Sequence, residues 1–228
     1  NQLKELGYKV ALCTGRTYKG IHEAGVDSII DWDGYVLANG SSVLDKDKNL
    51  IFETKIDPEI IHAIQEQIAG KALLLEGDSN FLTEKAHEPI LRSLKHFGIT
   101  ENYPIKKYVD QKIYNLLCYD PLDESFLERI QDKVQILRDQ LGNYEIIPSD
   151  AGKDIGILKL NEHLNINHHV AFGDGDNDKT MIENADIGVA MGNSVEELFE
   201  LADYITSTVD NDGIYNALLK HNVVERMI

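Results

Sequence analysis

Cysteine is almost missing from this sequence: two residues, Cys13 and Cys118, stand in 228 positions. They lie far apart, each within an apolar run. That reads as two buried thiols instead of a disulfide and fits a reducing, cytoplasmic setting. Apolar runs long enough to cross a bilayer are also missing, and no signal peptide is visible. Basic residues are in short supply, with 22 Lys and Arg against 39 Asp and Glu and a net charge of −17. Nucleic acid and anionic membranes are held by basic patches, so both are excluded as partners. A small anionic substrate stays open, because a bound cation and a few basic groups reverse the field locally. There is no initiator Met. Asn1 to Leu6 reads as the tail of a helix, with Leu3 and Leu6 on one face and Gly7 as its stop. Six residues are too few for a stable isolated helix, so an upstream segment is expected to be lacking from the chain.

What is present is a sufficient core, at 43% hydrophobic residues, in a length that suits one large domain or two small ones. The most informative stretch runs from His168 to Asp178. Val170, Ala171 and Phe172 read as the end of a buried strand, followed by Gly173 and then Asp174, Asp176 and Asp178. In open α/β sheets ligands bind beyond the carboxyl ends of strands. Carboxylates this close are costly unless a cation neutralises them, and a hard divalent ion, Mg²⁺, is the simplest answer. An EF-hand fails, because its sixth position would be Lys179 and its twelfth Ala185. A dinucleotide loop fails because no G-x-G-x-x-G follows the strand.

Earlier in the chain, residues 8–13 (YKVALC) read as a buried strand running into Thr14-Gly15-Arg16. A hydroxyl, a glycine and exposed amides there suit an anion. Taken alone, the tripeptide is better explained as an ordinary turn with Thr14 as a helix N-cap. A cysteine-phosphatase loop on Cys13 is rejected, because the required arginine position holds Lys19. A helix over Thr17 to Ala24, a short strand at Ser28 to Ile30, a strand at Val36 to Ala38 and a hairpin from Val43 to Phe52 follow.

From Ile56 to Ile147 helix and strand alternate without phosphate-loop chemistry. Asp57 and Pro58 open one helix. A second spans Glu84 to Phe97, where Pro89 threatens a break. Strands are predicted at Ala72 to Leu75, Lys112 to Tyr119 and Tyr144 to Ile147. Leu122, Phe126, Ile130, Val134, Leu137 and Leu141 predict one long amphipathic helix ending at Gly142. This block reads as an α+β domain inserted between the halves of an α/β domain: residues 56–147 within residues 1–55 and 148–228. Past it, Lys153 opens a helix through Leu160. On its own that lysine reads as a solvated charge, with phosphate binding as the alternative. A helix over Lys179 to Ala185, a strand at Asp186 to Met191, a helix over Val195 to Ala202 capped by Ser194, a strand at Tyr204-Ile205 and a helix over Gly213 to His221 complete the chain.

Together these units resemble the haloacid dehalogenase superfamily of phosphohydrolases, in particular its Cof-type sugar-phosphatase branch with a large cap. Thr14-Gly15-Arg16 matches the second motif of that family. Lys153, with Ile157 and Leu160 after it, matches the third. Gly173-Asp174-Gly175-Asp176-Asn177-Asp178-Lys179-Thr180-Met181 matches the fourth, Gly-Asp-x-x-Asn-Asp-x-x-Met, and Ala190-Met191-Gly192-Asn193 also looks like the family. The first motif, Asp-x-Asp-Gly-Thr, which supplies the nucleophile and the acid/base aspartate, is absent. Asp31-Trp32-Asp33-Gly34 is a false match, since it follows the second motif and Tyr35 stands where the threonine belongs.

The resemblance implies a Rossmann-like parallel-sheet core with a cap. It also implies Mg²⁺-dependent hydrolysis of small phosphorylated metabolites through an aspartyl-phosphate, with the nucleophile upstream of Asn1. Asp174 and Asp178 would serve the metal, and Thr14, Gly15, Lys153 and Asn177 would hold the phosphoryl group, with Thr14 and Lys153 acting in catalysis. Arg16 would face the substrate or support its loop, and Asp176 would belong to the turn. The alternative is a non-catalytic relative that binds a phosphate ligand or a partner.

Overall fold

A computed structural model describes residues 2–99 and 102–224. Asn1, where the predicted helix tail starts, lies outside the described residues. The first half of the core has helix α1 (Gln2–Glu5), strand β1 (Ala11–Cys13), helix α2 (Tyr18–Glu23), and strands β2 (Gly34–Leu37), β3 (Ser42–Asp45) and β4 (Leu50–Glu53). Gly7 ends α1 in the left-handed region, at φ 85°, the conformation that makes glycine a helix stop. The strand predicted at Ser28 to Ile30 does not form. Val26–Ser28 is a single 3₁₀ turn there, and Ile29 and Ile30 lie exposed. β-branched residues favour a strand only where a partner strand pairs with them.

The middle block holds helix α3 (Pro58–Gln67), strands β5 (Leu74–Gly77) and β6 (Phe81–Leu82), and helix α4 (Glu88–His96). Strand β7 (Ile113–Cys118), helix α5 (Glu124–Ile130) and strands β8 (Val134–Arg138) and β9 (Tyr144–Pro148) complete it. Asp57 caps α3 as predicted, accepting the Glu59 amide at 3.0 Å. Pro89 sits in the first turn of α4, where its missing N–H costs nothing, so it starts the helix instead of breaking it. The long helix predicted over 122–141 is wrong beyond Ile130. Residues 134–138 pair antiparallel with β9 in an unbroken register from Val134↔Pro148 to Arg138↔Tyr144.

The second half of the core has helix α6 (Lys153–Leu164), strand β10 (Val170–Gly173), helix α7 (Lys179–Glu183) and strand β11 (Ile187–Ala190). Helix α8 (Glu196–Leu201), strand β12 (Tyr204–Ile205) and helix α9 (Gly213–Lys220) follow. Ser194 does not cap α8; its hydroxyl donates to the Gly173 carbonyl at 3.1 Å.

Three sheets result: β1-β2-β3-β4, β10-β11-β12, and β6-β5-β7-β9-β8. β1 with β2, and β10 with β11 and β12, are parallel. Among the described residues β1 and β10 are each paired on one side only. Cys13 of β1 nonetheless packs against the Ala171, Met181 and Ala190 cluster of the second sheet. The five-stranded sheet lies wholly between Leu74 and Pro148 and buries its own core of Ile61, Ile64, Leu75, Phe81, Leu116 and Ile146. No helix among the described residues is long and apolar enough to cross a membrane.

Candidate active site

The turn after β1 is stitched to the end of β2. Thr14 N–H donates to Val36 O at 2.9 Å, Asn39 N–H to Thr14 O at 3.1 Å, and Ala38 N–H to Arg16 O at 2.9 Å. The N-cap of α2 is Thr17, whose hydroxyl accepts the Gly20 amide, so the expected capping role of Thr14 is corrected. The Thr14 oxygen accepts the Arg16 amide at 3.2 Å, which leaves its hydroxyl proton as a donor. A Cβ on Gly15 would stand 3.1 Å from Asn39 Oδ1 and 3.6 Å from Asn177 Nδ2. The β1 turn and the β10 loop therefore converge.

Lys153, the first residue of α6, is buried and is no solvated charge. Its Nζ lies 2.5 Å from Asp178 Oδ1, with side-chain exposures of 6% and 7%. The packing of α6 explains this. A Cβ on Gly156 would come 2.5 Å from Val36 Cγ1 and 3.0 Å from Gly40 Cα, so only glycine lets α6 lie this close over β2. Gly40 itself has φ 89°, and a side chain there would strike the Gly152 carbonyl.

The acidic loop is built around Asp178. Its Oδ2 accepts the amides of Asp174 at 2.9 Å and Gly175 at 3.0 Å, while Oδ1 takes Lys153. Asp174 is exposed, and its Oδ2 accepts from Asn193 Nδ2 at 2.9 Å. Asn177 Nδ2 donates to Asn39 Oδ1 at 2.9 Å. Asp176 turns away and pairs with Lys179 at 2.8 Å. Asn39 and Asn193, bonded to Asn177 and Asp174, are neighbours of the candidate site that sequence reasoning missed. Asn39 lies just past the strand read at Val36 to Ala38 and in no matched motif; Asn193 stood in a matching stretch with no role attached.

The false first motif lies at the far end of the strands. Asp33 precedes β2, accepts the Val10 amide at 2.9 Å and pairs with Lys4 at 3.1 Å. Cys13 is excluded as a nucleophile, since burial pushes its thiol up to about 12 although Lys153 pulls the other way.

No three His, Cys, Asp or Glu side chains form a metal cage among the described residues. Mg²⁺ does not need one, being held by one or two carboxylates together with waters and substrate phosphate. Asp174, exposed and neighboured by a neutral amide, fits that donor role. Asp178, engaged at both oxygens, fits as the residue that fixes the loop and Lys153.

The middle block closes over these loops. Thr17 Oγ1 donates to Asn80 Oδ1 at 3.1 Å, Ser41 Oγ to Tyr114 O at 3.1 Å, and Asn39 Nδ2 to Glu145 Oε1 at 2.8 Å.

A family model described as haloacid dehalogenase-like hydrolase matches residues 1–218. The chain is 29% identical over 229 residues to YkrA of Bacillus subtilis (strain 168), covering 95% of this chain and 86% of that protein. It is 26% identical over 246 residues to the 5-amino-6-(5-phospho-D-ribitylamino)uracil phosphatase YwtE of the same organism, covering 92% and 85%. A solved structure from Geobacillus kaustophilus HTA426 superposes with a TM-score of 0.85 at 26% identity, covering 98% of this chain and 89% of that one.

Proposed function

The chain is a hydrolase of the haloacid dehalogenase-like family, and from that premise we propose that it removes phosphate from small phosphorylated metabolites with Mg²⁺ as cofactor. The observation that carries this reading is the meeting of the Thr14-Gly15 turn, Asn177 and the buried Lys153–Asp178 pair at the end of the parallel β1–β2 and β10–β11 strand pairs. In this reading residues 1–55 and 148–228 form the core and residues 56–147 the cap. The separate sheet and apolar core of the middle block support that division.

The roles follow from the chemistry of each group. The Thr14 hydroxyl proton, the Gly15 amide and the Asn177 amide donate to phosphoryl oxygens. Lys153, held by Asp178 in a dry setting, neutralises charge that builds in the transition state. Asp174 would hold Mg²⁺, and Asp178 would keep its loop in place; the bound ion would add further charge neutralisation. The family resemblance assigns attack on phosphorus and proton transfer to the two aspartates of Asp-x-Asp-Gly-Thr. The 228 residues contain no such motif. The reading puts it on a strand between the singly paired β1 and β10. Thr17–Asn80 and Asn39–Glu145 support a cap that closes over the phosphate and excludes water.

The test is hydrolysis of an aryl phosphate by the protein expressed from its complete reading frame. Activity that vanishes on chelation and returns with Mg²⁺ is expected. A protein that binds phosphate but hydrolyses nothing would instead be a non-catalytic relative.

A further inference from the structure

One face of the cap sheet carries a polar row directed at the phosphate loops. Glu76 on β5 and Asn115 on β7 are cross-strand partners, and Glu145 on β9 is opposite Leu117, two residues along β7. Asn115 Nδ2 donates to Glu76 Oε2 at 2.9 Å and to Glu145 Oε1 at 3.0 Å. That same Glu145 oxygen accepts Asn39 Nδ2, and Asn39 Oδ1 accepts Asn177 Nδ2. A single amide side chain thus separates the row from the loop assigned to phosphate.

The row is poorly built for a mere latch between cap and core. Asn115 is only 1% exposed, yet its carbonyl Oδ1 is buried with no hydrogen-bond partner. Buried acceptors are normally satisfied. The two carboxylates share one amide nitrogen, an arrangement that disfavours both being charged. Burial does push the Glu145 carboxyl above its ordinary value, against the pull of the Asn39 and Asn115 amides and of Lys153. An orphaned acceptor between two carboxyl groups suits a ligand that brings hydrogen-bond donors and no negative charge.

We propose that Asn115, Glu145 and Glu76 form the leaving-group subsite, which takes hydroxyl or ammonium groups next to the phosphate ester and rejects a second anionic group. The proposal rests on the phosphatase reading for the phosphate itself. It adds residues that select by donor content and charge.

Binding separates the two claims, because it needs no chemical step. Calorimetric titrations of the Mg²⁺-loaded chain would use inorganic phosphate, glucosamine 6-phosphate and 6-phosphogluconate, the last two being alike in length and differing in charge. The subsite predicts that glucosamine 6-phosphate binds at least about tenfold tighter than 6-phosphogluconate. Asn115→Leu should weaken glucosamine 6-phosphate by about tenfold while leaving inorganic phosphate within about twofold. The double replacement E76Q/E145Q should shrink the preference over 6-phosphogluconate, a change that lost packing alone would not produce. Far-UV circular dichroism checks that each variant is folded, and Asn115→Gln serves in place of a variant that is not. Failure of inorganic phosphate to bind would overturn the phosphatase reading. Phosphate binding without preference between the two esters, or a preference unmoved by these variants, would overturn the subsite.

Discussion

At the scale of the residue, the decisive feature is that Lys153 and Asp178 are both buried and bonded at 2.5 Å. Each charge has lost its water, so each depends on the other. Asp178 is further held by two loop amides, which makes it the joint between the third- and fourth-motif matches. Replacing Lys153 with Met strands the Asp178 charge and should cost about 3–5 kcal/mol of stability, measured by urea unfolding of variant and wild type. Asp178 stood out in the sequence as part of the specific Gly-Asp-x-x-Asn-Asp-x-x-Met stretch. The burial of Lys153 did not. A lysine opening a helix reads as solvated until one knows that the helix lies against a strand.

At the scale of the element, α6 sets the site. Gly156 lets it approach Val36 and Gly40, and that approach carries Lys153 inward. Gly156→Ala should push α6 outward, lowering stability by about 1–3 kcal/mol and weakening inorganic phosphate binding in the same titration. An Ala variant with unchanged stability and phosphate affinity would show that the helix tolerates the shift. An element with a strong cap was legible: Asp57-Pro58 begins α3 as read. The long helix over 122–141 was misread because its apolar spacing suits both periods once Ile130 is passed. Val134 is buried and Ile136 packs against the same core two residues on, as a strand requires. What decides is the long-range pairing of β8 with β9, and local sequence does not display such pairing. Arg138 over the Tyr144 ring, 3.5 Å from its centroid, is a further contact between those strands.

At the scale of the whole molecule, the mixed β1-β2-β3-β4 sheet, the parallel β10-β11-β12 sheet and a separate antiparallel one meet at a polar seam. The seam contains Glu145, whose carboxyl burial raises above its ordinary value, with Asn39 and Asn115 opposing. The folded protein therefore holds that proton more tightly than the unfolded chain does. The resulting stability is fully present below the unfolded value and is lost as pH rises through the folded one. Glu145→Gln cannot ionise, so its melting temperature relative to wild type should rise between about pH 4 and pH 7. A constant difference across that range would mean that the Glu145 carboxyl binds its proton no more tightly in the folded protein than in the unfolded chain. The alternation of strands and helices and the position of the acidic loop were legible from the order of elements. The seam was not, because Asn39, Asn115 and Glu145 are far apart in the chain and none belongs to a motif.

The central claim is that Asp174 at the end of β10 is the metal-bearing carboxylate of a phosphatase. Its most direct test is the rate of aryl phosphate hydrolysis by the Asp174→Asn protein, expressed from the complete reading frame and saturated with Mg²⁺. The variant keeps the shape of the side chain and removes its charge. The account predicts a loss of about 10³-fold or more, with the fold intact by circular dichroism. Hydrolysis within about twofold of wild type would contradict it.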